Sequence, residues 1–275
     1  MDVADFICIQ INQDYARNLN RTDFRKPDVK SAAALFVESL RHAQNIVDMP
    51  GGITTAEREL AKAWAIAYNE VIGHPWIGQD ERLEPEKKNR LFERYHQIYK
   101  EAKQGSLFTF TDTPFSLIHA EFMNPELGLP DWFRSCVNAM IVYTWAAFED
   151  LIRTLYKDAT GLEPARFHTR KGRRKAFSDS FSVTAPSLAN SMVDYRLDTF
   201  ALLRNAIAHN SGVITEISVF SDLVTEQPSA GPYVQEILSG SDGMQIPTQA
   251  TLMNRWINGF CDAAWHLIGE FDILP

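Results

Sequence analysis

The sequence predicts an all-α protein, and three observations carry that reading. Apolar residues recur at spacings of three and four through several long segments, which is the helical period. Pro and Gly fall between those segments as breaks. One segment, CVNAMIVYTWAAFEDLIRTLY, is apolar almost all round, as a buried central helix must be.

The elements follow in order. Ser31 to Val47 places Leu35, Phe36, Leu40, Ala43 and Val47 on one face, with Ser31 as N-cap. The MPGG stretch, Met49 to Gly52, is expected to break this helix. Thr54 and Glu57 have capping-box spacing for a second helix, closed by Gly73 and Pro75. Glu86 to Lys103 predicts a solvated third helix with a narrow stripe of Phe92, Tyr95, Ile98 and Tyr99. Gly105 to Pro130 reads as irregular and marks a soft boundary. Residues 1–125 are then an N-terminal helical region and residues 126–275 a helical domain.

Within the second region, Asp131 to Ala159 is the central helix, ended by Gly161 and Pro164. RFHTRKGRRK, Arg166 to Lys175, is a basic loop. A helix from about Ser187 to His209 stops at NSG. Ile217 to Phe220 suggests a short strand, and Thr225 to Pro247 a long loop. Thr248 to Glu270 is the last helix, with Leu252, Trp256, Phe260, Ala263, Ala264, Leu267 and Ile268 inward.

Composition bounds the function. The 45% apolar content, with 17 Phe and 6 Trp, supplies a sizeable core. A net charge of −8 argues against coating nucleic acid by bulk attraction, so any such contact needs a local basic patch. Cys8, Cys136 and Cys261 are odd in number and widely spaced, without metal-ligand spacing. They read as free thiols in a reducing cytoplasm, with Cys136 and Cys261 packed. The N-terminus does not read as a signal peptide, and the apolar run Ala139 to Phe148 is too short to span a bilayer. A soluble cytoplasmic protein is expected.

The chemistry concentrates in LLRNAIAHNSG, Leu202 to Gly212. Val193, Leu197, Phe200, Arg204 and Ile207 step by four and three, so Arg204 interrupts a core stripe. An unpaired buried guanidinium is costly, so Arg204 either closes an ion pair or reaches a cleft. Glu149 shares a face of the central helix with Trp145 and is a natural counter-charge if the two helices pack; otherwise it is solvated. His209 lies five residues from Arg204, roughly 140° around a helix. The two converge only in a cleft wrapped around the helix end, such as one made by a second copy. There a histidine can move protons at a ribose hydroxyl and an arginine can stabilise phosphoryl charge, with no metal or other cofactor.

RNAIAH, Arg204 to His209, resembles the Arg-polar-x3-His signature of the HEPN superfamily, the higher eukaryotes and prokaryotes nucleotide-binding domains. WAAFEDLI, Trp145 to Ile152, resembles that family's acidic helix, with Glu149 at the acidic position. The resemblance covers Asp131 to Phe271. It implies a HEPN-like helical bundle and a metal-independent endoribonuclease acting as a homodimer. Arg204 and His209 are then catalytic, with Asn205 and Glu149 supporting. Many members belong to toxin–antitoxin or antiviral-defence systems, so an antitoxin or defence-system partner protein is implied. Some members carry a modifiable tyrosine two residues after the histidine; here that position is Ser211. Other members are non-catalytic modules that bind a nucleotide or a partner protein, and this reading stays open. Arg170, Lys171, Arg173, Arg174 and Lys175 are the candidate RNA contacts, against the alternatives of a solvated loop or one that binds an acidic partner.

Overall fold

The computed structural model describes residues 9–11, 14–75, 83–105, 129–163, 167 and 169–275. Among them the protein is all-α apart from a two-stranded ribbon. The helices are α1 (Asp14–Arg21), α2 (Pro27–Ile72), α3 (Pro85–Gly105), α4 (Leu129–Thr160), α5 (Arg170–Phe181), α6 (Pro186–Ser191), α7 (Tyr195–Asn210), α8 (Ser218–Glu226), α9 (Gly231–Leu238) and α10 (Ala250–Asp272). The strands β1 (Val213–Ile214) and β2 (Met244–Gln245) pair antiparallel, Val213 opposite Gln245. No helix among the described residues is long and apolar enough to cross a membrane.

The chain forms two compact units, one of Met1–Asp48 with Phe133–Pro275 and one of Met49–Trp132. This division differs from the expected cut near residue 125, and the reason lies in hydrogen bonds that no periodicity encodes. The backbone of residues 9–11 bonds to side-chain amides. Gln44 of α2 donates to the Ile9 carbonyl at 3.0 Å and accepts from the Ile11 amide at 2.7 Å. Asn254 and Asn258 of α10 serve Gln10 in the same way, at 2.7 and 3.0 Å. Tyr15 donates to Asp262, and Asp272 accepts from the amides of Arg25 and Lys26 just before α2. The N-terminal segment is thereby tied to the last helix.

The core of this unit is aromatic. Phe200 of α7 stacks on Phe260 of α10 with centroids 4.1 Å apart. Trp145 and Phe148 of α4 close over the pair. A second cluster joins Tyr156, Phe167, Phe177, Phe181 and Phe271. Cys136 and Cys261 are buried as free thiols, as their apolar surroundings imply. Cys8 lies outside the described residues.

The second unit is centred on Ala67, Tyr68 and Leu91. Trp64 packs edge-on against Phe92 and Tyr95. Leu91 of α3 is buried, whereas Phe92 of the expected stripe is 42% exposed. Tyr99's side chain lies outside the described residues.

Several elements differ from the sequence reading. Helix α2 runs through Pro50, Gly51 and Gly52 instead of breaking there, and starts four residues before Ser31. A proline inside a helix loses one backbone hydrogen bond and crowds the carbonyl one turn back, which disfavours a helix there without forbidding it. The expected Ser187–His209 helix is two, because Asp194 adopts an extended conformation and caps α7 through the Arg196 amide. Val193 is consequently exposed rather than part of the core stripe. The expected strand Ile217–Phe220 is the start of α8. The expected loop 225–247 holds α9, where Tyr233, Val234 and Ile237 bury one face and Pro232 sits where no amide hydrogen is needed. The tail of the basic run is likewise helical, as α5 with Thr169 as N-cap.

Candidate functional site

Helix α7 carries the candidate residues, and its two ends are fixed by different means. At the start Asp194 binds both the amide and the guanidinium of Arg196. At the end Ser211 and Gly212 turn left-handed, with φ of 53° and 83°. The Gly212 amide reaches back to the Ala206 carbonyl at 3.1 Å, and the Gly212 carbonyl accepts from Ile246 at 2.9 Å. The turn after His209 is therefore clamped to the ribbon. Asn138 of α4 packs on the same turn.

The candidate side chains emerge between these clamps. Arg204 is half-buried, and its Nη1 donates to Asn205 Oδ1 at 3.1 Å. Its Nε is buried with no hydrogen-bond partner. Asn205 and His209, one turn apart, are exposed on the same side of the helix. The structure thus brings Asn205 to Arg204 and places His209 at the outer face of the last turn.

Glu149 is not bonded to Arg204: the Arg204 guanidinium donates to Asn205, and Glu149 Oε1 and Arg204 Nε both lack hydrogen-bond partners. The antiparallel run of α4 and α7 explains this. Trp145 meets Phe200, with ring centroids 6.5 Å apart, and Asn138 meets Gly212. Glu149 lies one turn beyond Trp145 in one direction and Arg204 one turn beyond Phe200 in the other. That leaves them about 12 Å apart along the helices. Glu149 Oε1 is buried and has no hydrogen-bond partner.

The basic run is mostly committed internally. Arg170 and Arg174 both pair with Asp198 of α7 and Glu226 of α8. Gln227 also donates to Asp198, at 2.9 Å. The salt bridges of Arg174 and Arg170 hold the Glu226 carboxyl below its usual range. Arg173 is 2% exposed, its guanidinium 4.7 Å from the Trp145 ring centroid and bonded to the Phe167 carbonyl. Burial pushes its pKa down to about 10, opposed by the carboxylates of Asp198 and Glu149, so it stays charged at neutral pH. Lys175 pairs with Asp179 on the surface, and Lys171 is exposed.

Sequence reasoning missed Asp198, the acceptor that collects the arginines. Its position between buried Leu197 and Thr199 was the available signal, since a buried carboxylate needs partners. Among the described residues no three His, Cys, Asp or Glu side chains group closely enough to hold a metal ion. The chain matches no protein-family model, no curated protein and no solved structure.

Proposed function

We propose that the protein is a metal-independent endoribonuclease of the HEPN type, acting as a homodimer in a toxin or antiviral-defence role. The observation that carries this reading is the arrangement on α7. Arg204 is half-buried and steadied by Asn205, while His209 is exposed one turn on, beside a rigid helix end. Neither is sealed inside the protomer, so both remain accessible to a phosphodiester held between two copies.

In this reading His209 takes the proton from a ribose 2′-hydroxyl or gives one to the leaving 5′-oxygen. Arg204 stabilises the charge gathering on the phosphoryl oxygens. The 2′-oxygen attacks the adjacent phosphorus and the P–O5′ bond breaks, giving a 2′,3′-cyclic phosphate and a 5′-hydroxyl. The test is incubation of wild type, Arg204→Ala and His209→Ala with RNA in EDTA. Cleavage by wild type alone, ending in cyclic phosphates, is the expected result. Intact RNA with dimeric wild type overturns the reading, and loss of cleavage in EDTA overturns the metal-free mechanism.

One observation favours a second reading, a non-catalytic helical module that binds a nucleotide or a partner protein. Of the arginines expected to guide RNA, Arg170 and Arg174 are occupied by Asp198 and Glu226, and Arg173 is buried against Trp145. RNA binding through that run then rests on Lys171 and Lys175, which is a weak footprint on a chain of net charge −8.

A further inference from the structure

Arg173 stands out in the basic run because, among its described arginines, it is the one that solvent hardly reaches. A guanidinium this deep is costly unless its surroundings offset the lost hydration. Here the ring face of Trp145 covers it at 4.7 Å and the Phe167 carbonyl accepts from it at 3.2 Å. Trp145 and Glu149 are one turn apart on the same face of α4, so a group covering Trp145 lies alongside Glu149. Arg173 Nε and Glu149 Oε1 are both buried without a hydrogen-bond partner, a donor and an acceptor of complementary charge. Asp198, in the first turn of α7, pairs with the neighbours of Arg173 on α5, Arg170 and Arg174.

The contact leads to the candidate site. The Trp145 ring held by Arg173 packs at 28° to Phe200, and Phe200 stacks on Phe260. Arg204 follows Phe200 by one turn of the same helix. A planar guanidinium can lie flat on an indole, whereas an ammonium cannot.

We propose that Arg173 is a positioning residue that sets how α7 presents Arg204 and His209, and that Glu149 acts through Arg173. The proposal rests on the ribonuclease reading only for its catalytic readout.

The test uses the full chain as wild type, Arg173→Met, Arg173→Lys, Glu149→Gln and the Glu149→Gln/Arg173→Met double variant. NMR of the His209 imidazole and the Arg204 Nε–H in the free protein reports presentation directly. Both signals are expected to shift in Arg173→Met and in Arg173→Lys, and less in Glu149→Gln. The double variant is expected to match Arg173→Met alone. Arg173→Lys keeps the charge and serves if Arg173→Met does not fold. With RNA, kcat should fall about a hundredfold, the scale of a small misplacement of reacting groups. KM and the salt dependence of RNA binding should hold, because no phosphate contact is removed. Unmoved His209 and Arg204 signals in a cooperatively folded Arg173 variant overturn the proposal. So does additivity of the two single variants, or a salt slope reduced by about one contact. If wild type cuts no RNA, the ribonuclease reading falls while the NMR readouts still decide this one.

Discussion

Asn205 accepts a hydrogen bond of 3.1 Å from Nη1 of Arg204, its immediate neighbour on α7. The bond restrains a long side chain whose Nε lacks an acceptor. Replacing Asn205 with Ala frees the guanidinium without touching the core. An exposed bond to a charged donor contributes about 1 kcal/mol, so on the proposed ribonuclease reading kcat/KM for RNA should drop about fivefold with the melting temperature unchanged. Undiminished cleavage by Asn205→Ala would show that the bond does not position Arg204.

Gly212→Ala should destabilise the turn behind His209. The backbone there is left-handed, at φ 83°, and an added Cβ would lie 3.0 Å from Asn138 Nδ2. The conformational cost alone is about 1–2 kcal/mol. Urea denaturation should show a lower midpoint, and hydrogen exchange of the Ile246 amide should accelerate. An unshifted midpoint would mean that the turn relaxes without strain.

Asp272 is 7% exposed and accepts from two backbone amides, those of Arg25 at 3.0 Å and Lys26 at 2.9 Å. Asp272→Ala leaves both donors without their acceptor and should cost about 2 kcal/mol. Asp272→Asn retains one acceptor oxygen and should cost less. Equal thermal stability of Asp272→Ala and wild type would refute this anchoring of the N-terminal segment.

Glu226 gives a pH signature. Its folded-state pKa lies below the usual carboxylate value of about 4.3 because Arg174 and Arg170 favour its charged form. A depressed carboxylate contributes stability above the unfolded pKa and loses it as pH falls through the folded value. Wild type should therefore exceed Glu226→Gln in stability at pH 7, with the gap closing below about pH 4. The gap should be small, since the side chain is 50% exposed and screened by solvent. A gap that widens on acidification has the wrong sign and defeats the assignment.

How much was legible in advance can be read from particular residues. Trp256, Phe260, Leu267 and Ile268 are buried as their spacing required, because an amphipathic helix writes its buried face into its own sequence. Arg204 was recognisable as a charge on a core stripe, and it is half-buried. Glu149 was recognisable as a carboxylate on an apolar face, but its facing residue was not. A pairing between helices depends on their relative direction and level, which spacing within one helix does not contain. The basic run misled for the same reason: Asp198 and Glu226 come from other helices and are distant in sequence.

The amino-acid sequence by itself determined the all-α class, the long central helix, the buried face of the last helix and the polar interruption at Arg204. Each of these follows from local period and residue type. The tertiary structure alone decided that residues 9–48 join the C-terminal unit, that Arg170 and Arg174 of α5 are spent on Asp198 and Glu226, and that Arg173 is buried against Trp145. Those outcomes rest on hydrogen bonds and ion pairs between distant segments, whose energy depends on three-dimensional distance and not on order along the chain.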